Sequence, residues 1–97
     1  MRERDFQKDL MREIEESFPG CVVAKTDPTY IQGFPDLLIL HNDKWATLEC
    51  KRSAKASLRP NQGRWVKRLG EMSFASFIFP ENRKDVLNAL QKYFEKS

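Results

Sequence analysis

A single acid, Asp36, heads the wholly apolar run Leu37-Leu-Ile-Leu40, and Asn42-Asp43 follows immediately after His41. Apolar character without alternation over so short a run describes a strand covered on both faces. Asn-Asp suits a tight turn, so a second strand, Lys44 to Lys51, must run back along the first. A chain built on this hairpin cannot be all-helical, and its buried faces require covering layers.

Those layers are legible on either side. Within residues 2 to 18, Phe6, Leu10, Ile14 and Phe18 recur at every fourth position, the stripe of an amphipathic helix, and Pro19-Gly20 ends it. Cys21-Val-Val-Ala24 is a short β-branched strand. Lys25 to Gly33 (KTDPTYIQG) is rich in turn formers and reads as a loop. After a second loop, Pro60 is expected to open a helix at its tolerated first-turn position. That helix would bury Trp65, Val66 and Leu69 and end at Gly70. Phe74 to Phe79 predicts a further strand, and Pro80 to Lys96 a closing helix with Val86, Leu87, Leu90, Tyr93 and Phe94 inward.

The expected order is αβββαβα, an α/β fold with a mixed central sheet flanked by helices. No repeat or Gly/Ser linker interrupts it, and 97 residues with 40% hydrophobic content suffice for one core. One domain spanning residues 1–97 is the expectation. Cys21 and Cys50 lack metal-ligand spacing and read as small core residues with free thiols, as in a reducing compartment. The charged start MRERDFQKDL has no apolar leader, and no run of about 18 apolar residues occurs. A soluble, cytoplasmic protein with no membrane partner follows.

The net charge of +3 is too small to name a partner, but its distribution is uneven. Arg52, Lys55, Arg59, Arg64, Lys67 and Arg68 follow Lys51 in a stretch, Lys51 to Leu69, that contains no acid. This segment is the candidate for contacting the phosphates of DNA, against the alternative of a solvated helix face.

Side chains alternate across a strand, so Glu49 and Lys51 project from one face and Cys50 from the other. Mirroring about Asn42-Asp43 sets Asp36 opposite roughly Glu49. Two carboxylates then converge with an ammonium one pleat away. Mg²⁺ favours such oxygen ligands and usually takes one or two protein carboxylates plus substrate phosphate. The backbone carbonyl of Cys50 is a further candidate ligand, and Lys51 could hold the attacking water or neutralise charge on the phosphate. A Glu-x-Lys tripeptide alone is commonly an ordinary solvated pair. Here, however, it closes the strand WATLECK, and Asp36 heads an apolar one, where unpartnered charge is costly.

The residues Gly33-Phe-Pro-Asp36, followed after the hairpin by Glu49-Cys-Lys51, resemble the PD-(D/E)xK motif of restriction-endonuclease-like nucleases. Within that superfamily the chain most resembles stand-alone VRR-NUC domains, often encoded by bacteriophages and similar to Holliday-junction resolvases. The resemblance extends over nearly the whole chain, including Leu58-Arg-Pro-Asn-Gln62 after the E-x-K. It implies a restriction-endonuclease-like core and Mg²⁺- or Mn²⁺-dependent cleavage of DNA phosphodiesters inside the host cell.

Helical geometry bears on two more positions. At about 100° per residue, Glu3 falls near the centre of the first helix's apolar stripe, whereas Asp5, Asp9 and Glu16 point away. Glu3 could reach the site as a metal or water ligand, matching the family's first-helix glutamate, or could merely favour the helix N-terminus. Gln62 shares the inward face with Trp65, Val66 and Leu69. It could position substrate or water, or satisfy a buried backbone group. His41, the only histidine, reads as a surface turn residue, and Trp45 and Tyr30 as core or rim aromatics.

A chain of this size cannot wrap a duplex alone, so a homo-oligomer, most simply a twofold dimer, is expected. The rival expectation is a DNA-binding or regulatory module that keeps the fold without cleaving.

Overall fold

The computed structural model describes residues 2–27 and 29–96. Pro28 of the expected loop, and Met1 and Ser97 at the ends, lie outside the described residues. The elements are α1 (Glu3–Ser17), β1 (Val22–Lys25), β2 (Leu37–His41), β3 (Lys44–Cys50), α2 (Gln62–Met72), β4 (Phe74–Ile78) and α3 (Arg83–Glu95). The order αβββαβα and the mixed sheet agree with the sequence expectation.

The sheet order is β1-β2-β3-β4, with β1, β2 and β3 antiparallel and β4 parallel to β3. Asn42 takes the left-handed conformation (φ 56°) that a short polar residue tolerates, which closes the hairpin with His41 opposite Lys44. A parallel pair needs a crossover, and α2 supplies it between β3 and β4.

One face of the sheet carries Leu37, Ile39, Ala46, Leu48, Cys50 and Ile78, all inaccessible to solvent. Phe6, Leu10 and Ile14 of α1 and Val86, Leu90 and Phe94 of α3 complete this core. Arg83 locks the two helices together through Asp9 (2.9 Å) and Glu13 (2.6 Å). No helix among the described residues is long and apolar enough to cross a membrane.

Several local expectations are corrected. The second sheet face is covered by α2 only over β3 and β4, so Leu38 is half-buried and Leu40 is 44% exposed. Strand β2 is thus fully covered on one face, not two. Helix α2 begins at Gln62, after a left-handed Asn61 (φ 71°), and not at Pro60. It also continues through Gly70, which lacks the positive φ of a helix stop, to Met72, with Ser73 as its cap residue. There the Ser73 hydroxyl donates to the Trp45 carbonyl and meets the Tyr93 hydroxyl (2.7 Å), tying the helix end to β3 and α3. Trp65 and Val66, expected inside, are half-buried. Helix α3 starts at Arg83 because Phe79 and Asn82 close a turn in which the Asn82 side chain accepts from the Phe79 N–H (2.8 Å). His41 is no surface turn residue: it ends β2 half-buried, with its ring 5.9 Å from that of Phe18 and 5.0 Å from that of Phe94.

Candidate active site

Register decides the site. Leu37 pairs with Leu48, so the residue before one and the residue after the other, Asp36 and Glu49, meet at the open end of the hairpin. Asp36 Oδ2 accepts the Cys50 N–H (2.9 Å), which locks its carboxyl against β3. The N–H and C=O of an extended residue point to the same side, so the Cys50 carbonyl is directed toward Asp36 as well. Burial pushes the Cys50 thiol pKa up, and its side chain belongs to the core face.

The backbone that carries Asp36 is itself held. Thr26 donates its N–H to the Asp36 carbonyl (2.9 Å) and its hydroxyl to the Pro35 carbonyl (2.6 Å). Sequence reasoning passed over Thr26, because a threonine among turn formers carries no signal of a long-range bond. Just before Asp36, Gly33 adopts φ 83°, and a Cβ there would lie 2.7 Å from the Pro60 carbonyl oxygen. Only glycine lets the loop before β2 press onto the loop before α2. This contact closes one wall of the site.

Glu49 is 2% exposed, and its Oε1 is buried with no hydrogen-bond partner. Burial drives its pKa up to about 9, reinforced by the hydrogen bond and charge of Asp36 and, more weakly, by Glu3; Lys51 opposes the shift. A second carboxyl at this distance from a buried one disfavours the charged form of the pair.

Lys51, 5% exposed, donates from Nζ to Gln62 Oε1 (2.5 Å) and to the Ser57 carbonyl (3.1 Å). Gln62 Oε1 also accepts the Arg59 N–H (2.8 Å). The two roles weighed for Gln62 therefore coincide: it satisfies a part-buried backbone group and fixes the lysine.

Asp36, Glu49, Gln62, Gly33 and Arg59 line a depression of about 250 Å³. A second, of about 380 Å³, is lined by Lys51, Glu3, Arg52 and Arg59 among others. A larger cavity of about 480 Å³ lies between α1 and α3, away from these groups. Glu3 thus stands beside Lys51 and close enough to act on Glu49 electrostatically. Among the described residues no cluster of three or more His, Cys, Asp or Glu side chains could hold a metal ion. The structure brings Asp36 and Glu49 together as a pair, with Glu3 on the neighbouring depression.

Arg52, Lys55, Arg59, Arg64, Lys67 and Arg68 are all exposed, with Arg52 and Arg59 at the site itself. The Arg68 guanidinium lies 5.5 Å from the centre of the Trp65 ring, which in turn packs edge-on against Phe34 at 5.3 Å. The basic surface of α2 is therefore anchored on the loop that leads into Asp36.

Neither a family model nor a curated protein matches the sequence. Among solved structures, one described as a VRR_NUC domain matches over 94% of this chain and 96% of its own, at 26% identity and a TM-score of 0.67. The chain has a VRR-NUC-like nuclease fold. In that VRR-NUC-like frame the carboxylate pair lies at the open end of the β2–β3 hairpin, next to the lysine that follows it.

Proposed function

We propose that this chain is a metal-dependent nuclease that hydrolyses DNA phosphodiester bonds, its catalytic residues being Asp36, Glu49 and Lys51 with Gln62 and Glu3 in support. The observation that carries the reading is the buried, unpartnered Oε1 of Glu49 beside the Asp36 carboxyl. Leaving such an acceptor unsatisfied costs roughly 1–3 kcal/mol or more, a cost that function can explain.

The donor set suits Mg²⁺ or Mn²⁺: two carboxylates and the Cys50 carbonyl are hard oxygen ligands, few enough to leave positions for water and phosphate. A bound ion supplies Lewis acidity to the scissile phosphate and lowers the pKa of an attacking water. The remaining steps belong to the chain. Asp36 is held by Cys50 and Thr26, so its carboxyl is set in place before substrate arrives. Lys51 has three N–H donors and spends two on Gln62 and Ser57. The third is left for a phosphate oxygen or the attacking water. Arg59, exposed between the two depressions, is positioned to receive the flanking phosphate.

One domain over residues 1–97, acting as a twofold dimer inside the cell, fits this reading. The test is incubation of the purified protein with labelled duplex, flapped, branched and single-stranded DNA in Mg²⁺, Mn²⁺ or EDTA. Cleavage that needs the cation supports the proposal; binding without cleavage in either metal would establish the non-cleaving module instead.

The exposed basic residues of α2 and of the loop before it give a further expectation. Arg59, Arg64, Lys67 and Arg68, if they neutralise phosphates, release counterions, so affinity falls steeply with salt. Their replacement by Ala is expected to weaken binding to every sequence alike and to reduce the slope by roughly one unit per lost contact. Binding measured in Ca²⁺ across a salt series checks this, and unchanged slopes would return the segment to a solvated surface.

A further inference from the structure

The stretch from Lys51 to Leu69 contains no acid of its own, yet a carboxylate reaches into it from elsewhere in the chain. Glu81, in the turn between β4 and α3, accepts the Ala54 N–H with both of its oxygens (3.2 Å each). It forms no ion pair among the described residues, although Lys55 adjoins Ala54. Its charge is spent on a backbone group, a charge-assisted bond.

The turn that carries Glu81 is closed by Asn82. The Asn82 N–H donates to the Phe79 carbonyl (3.1 Å), and its side chain accepts from the Phe79 N–H (2.8 Å) and donates to the Phe77 carbonyl (3.2 Å). Glu81 therefore has a fixed base at the end of β4. Ala54 lies in a second turn, in which the Ala56 N–H donates to the Ser53 carbonyl (3.2 Å) and the Lys55 N–H to the Ser53 hydroxyl (3.3 Å). Ser57 comes next, and its carbonyl accepts from Lys51 Nζ (3.1 Å). The ends of this loop are held independently, by the Lys51 N–H on the Ile78 carbonyl (2.9 Å) and the Arg59 N–H on Gln62 (2.8 Å). Among the described residues, only the bond to Glu81 joins residues 52–57 to a part of the chain other than the loop itself and Lys51.

We propose that Glu81 is a positioning residue for Lys51. By pinning the turn at Ser53 to Ala56, it sets the Ser57 carbonyl against Nζ and so fixes the direction of the donor left for the phosphate. This inference rests on the nuclease reading above and adds to it a residue that lines neither depression of the site. The effect on DNA binding has the opposite sign. A carboxylate beside Arg52 and Lys55 opposes the approach of phosphates, so its removal favours binding while it loosens the lysine.

The experiment compares the wild type, Glu81→Ala, Glu81→Gln, and Glu81→Ala combined with Lys51→Ala. Glu81 and Ala54 are both exposed, so the substitutions leave the core intact. In Glu81→Ala the single-turnover rate at saturating DNA in Mg²⁺ is expected to fall about tenfold, within the roughly hundredfold that a misplacement of about 1 Å can cost. Affinity for DNA in Ca²⁺ should hold or improve. Glu81→Gln keeps a carbonyl oxygen for the Ala54 N–H and is expected to restore most of the rate. In the Lys51→Ala background, Glu81→Ala should have little further effect. NMR order parameters of the DNA-free protein, for the backbone of residues 53–57 and the Lys51 side chain, should fall in Glu81→Ala and not in Glu81→Gln. An unchanged rate in Glu81→Ala overturns the proposal, as does a tenfold loss that persists without Lys51, or a Gln variant as slow as the Ala variant. The two readings fail separately. Loosening of Lys51 in Glu81→Ala, with no cleavage by the wild type in Mg²⁺ or Mn²⁺, would remove the nuclease reading and leave the tether. A cleaving wild type matched by Glu81→Ala in rate and order would remove the tether alone.

Discussion

Glu49→Gln and Asp36→Asn are each expected to lower the cleavage rate by roughly a thousandfold or more, the scale on which charge stabilisation of the transition state is lost, while the protein stays folded. Each substitution keeps the shape of the side chain and removes an anionic ligand. The fold survives because the site is a net liability in the metal-free protein. Burial and Asp36 hold the Glu49 pKa at about 9, against an ordinary value of 4.5. The folded chain consequently binds more protons than the unfolded chain between these limits, and its stability without metal falls as pH rises through that window. Glu49→Gln should flatten this dependence and raise the metal-free melting temperature at neutral pH. Mg²⁺ or Mn²⁺ should oppose the loss in the wild type by displacing the proton, with about one proton released per ion bound at pH 7. Titration calorimetry in buffers of different ionisation enthalpy reads that proton directly. If Glu49→Gln cleaves at a normal rate, or if binding of the metal releases no proton from the wild type, the carboxylate pair is not the metal site.

Lys51→Ala is expected to cost roughly a hundredfold or more in rate at saturating DNA, the loss of one transition-state donor being worth about 2.7–4 kcal/mol. Metal affinity should change little, because the ammonium is bonded to Gln62 and Ser57 and is not a ligand. Gln62→Leu supplies the complementary case. It leaves Lys51 in place but deprives Nζ and the Arg59 N–H of their shared acceptor, so the lysine loses its fixed position and the loop loses a bond. Its effect is expected to be smaller than that of Lys51→Ala and to combine with it less than additively, since both act on one group. Single-turnover rates with the two single variants and the double variant decide this. Additive losses would separate Gln62 from the lysine, and a collapse of metal affinity in Lys51→Ala would recast the lysine as a support for the carboxylates.

Much of this architecture was legible without coordinates, for reasons that are local. The four-residue spacing of Phe6, Leu10 and Ile14 specifies a helix and its buried face together, and all three are in the core. The turn at Asn42-Asp43 sets the register of β2 on β3, and register alone carries Asp36 to Glu49 and puts Lys51 one pleat beyond. Chain periodicity determined these positions by itself. It could not report what covers a face. The apolar run Leu37 to Leu40 is the same sequence whether one helix layer lies over it or two, and only the packed structure shows α2 stopping short of β2. Nor could it report bonds between segments distant along the chain. Thr26 on Pro35, Gly33 on Pro60, and Gln62 shared between Lys51 and Arg59 join loops whose composition says only that they turn. Exposure of Tyr30 belongs to the same class, because a loop's direction is fixed by the contacts at its two ends and not by the residues at its tip. Alternation and helical pitch are properties of neighbouring residues, so the sequence determined the elements, their faces and the pairing of the carboxylates. Burial, satisfaction of polar groups and the walls of the site depend on which elements meet in space, and tertiary packing alone decided them.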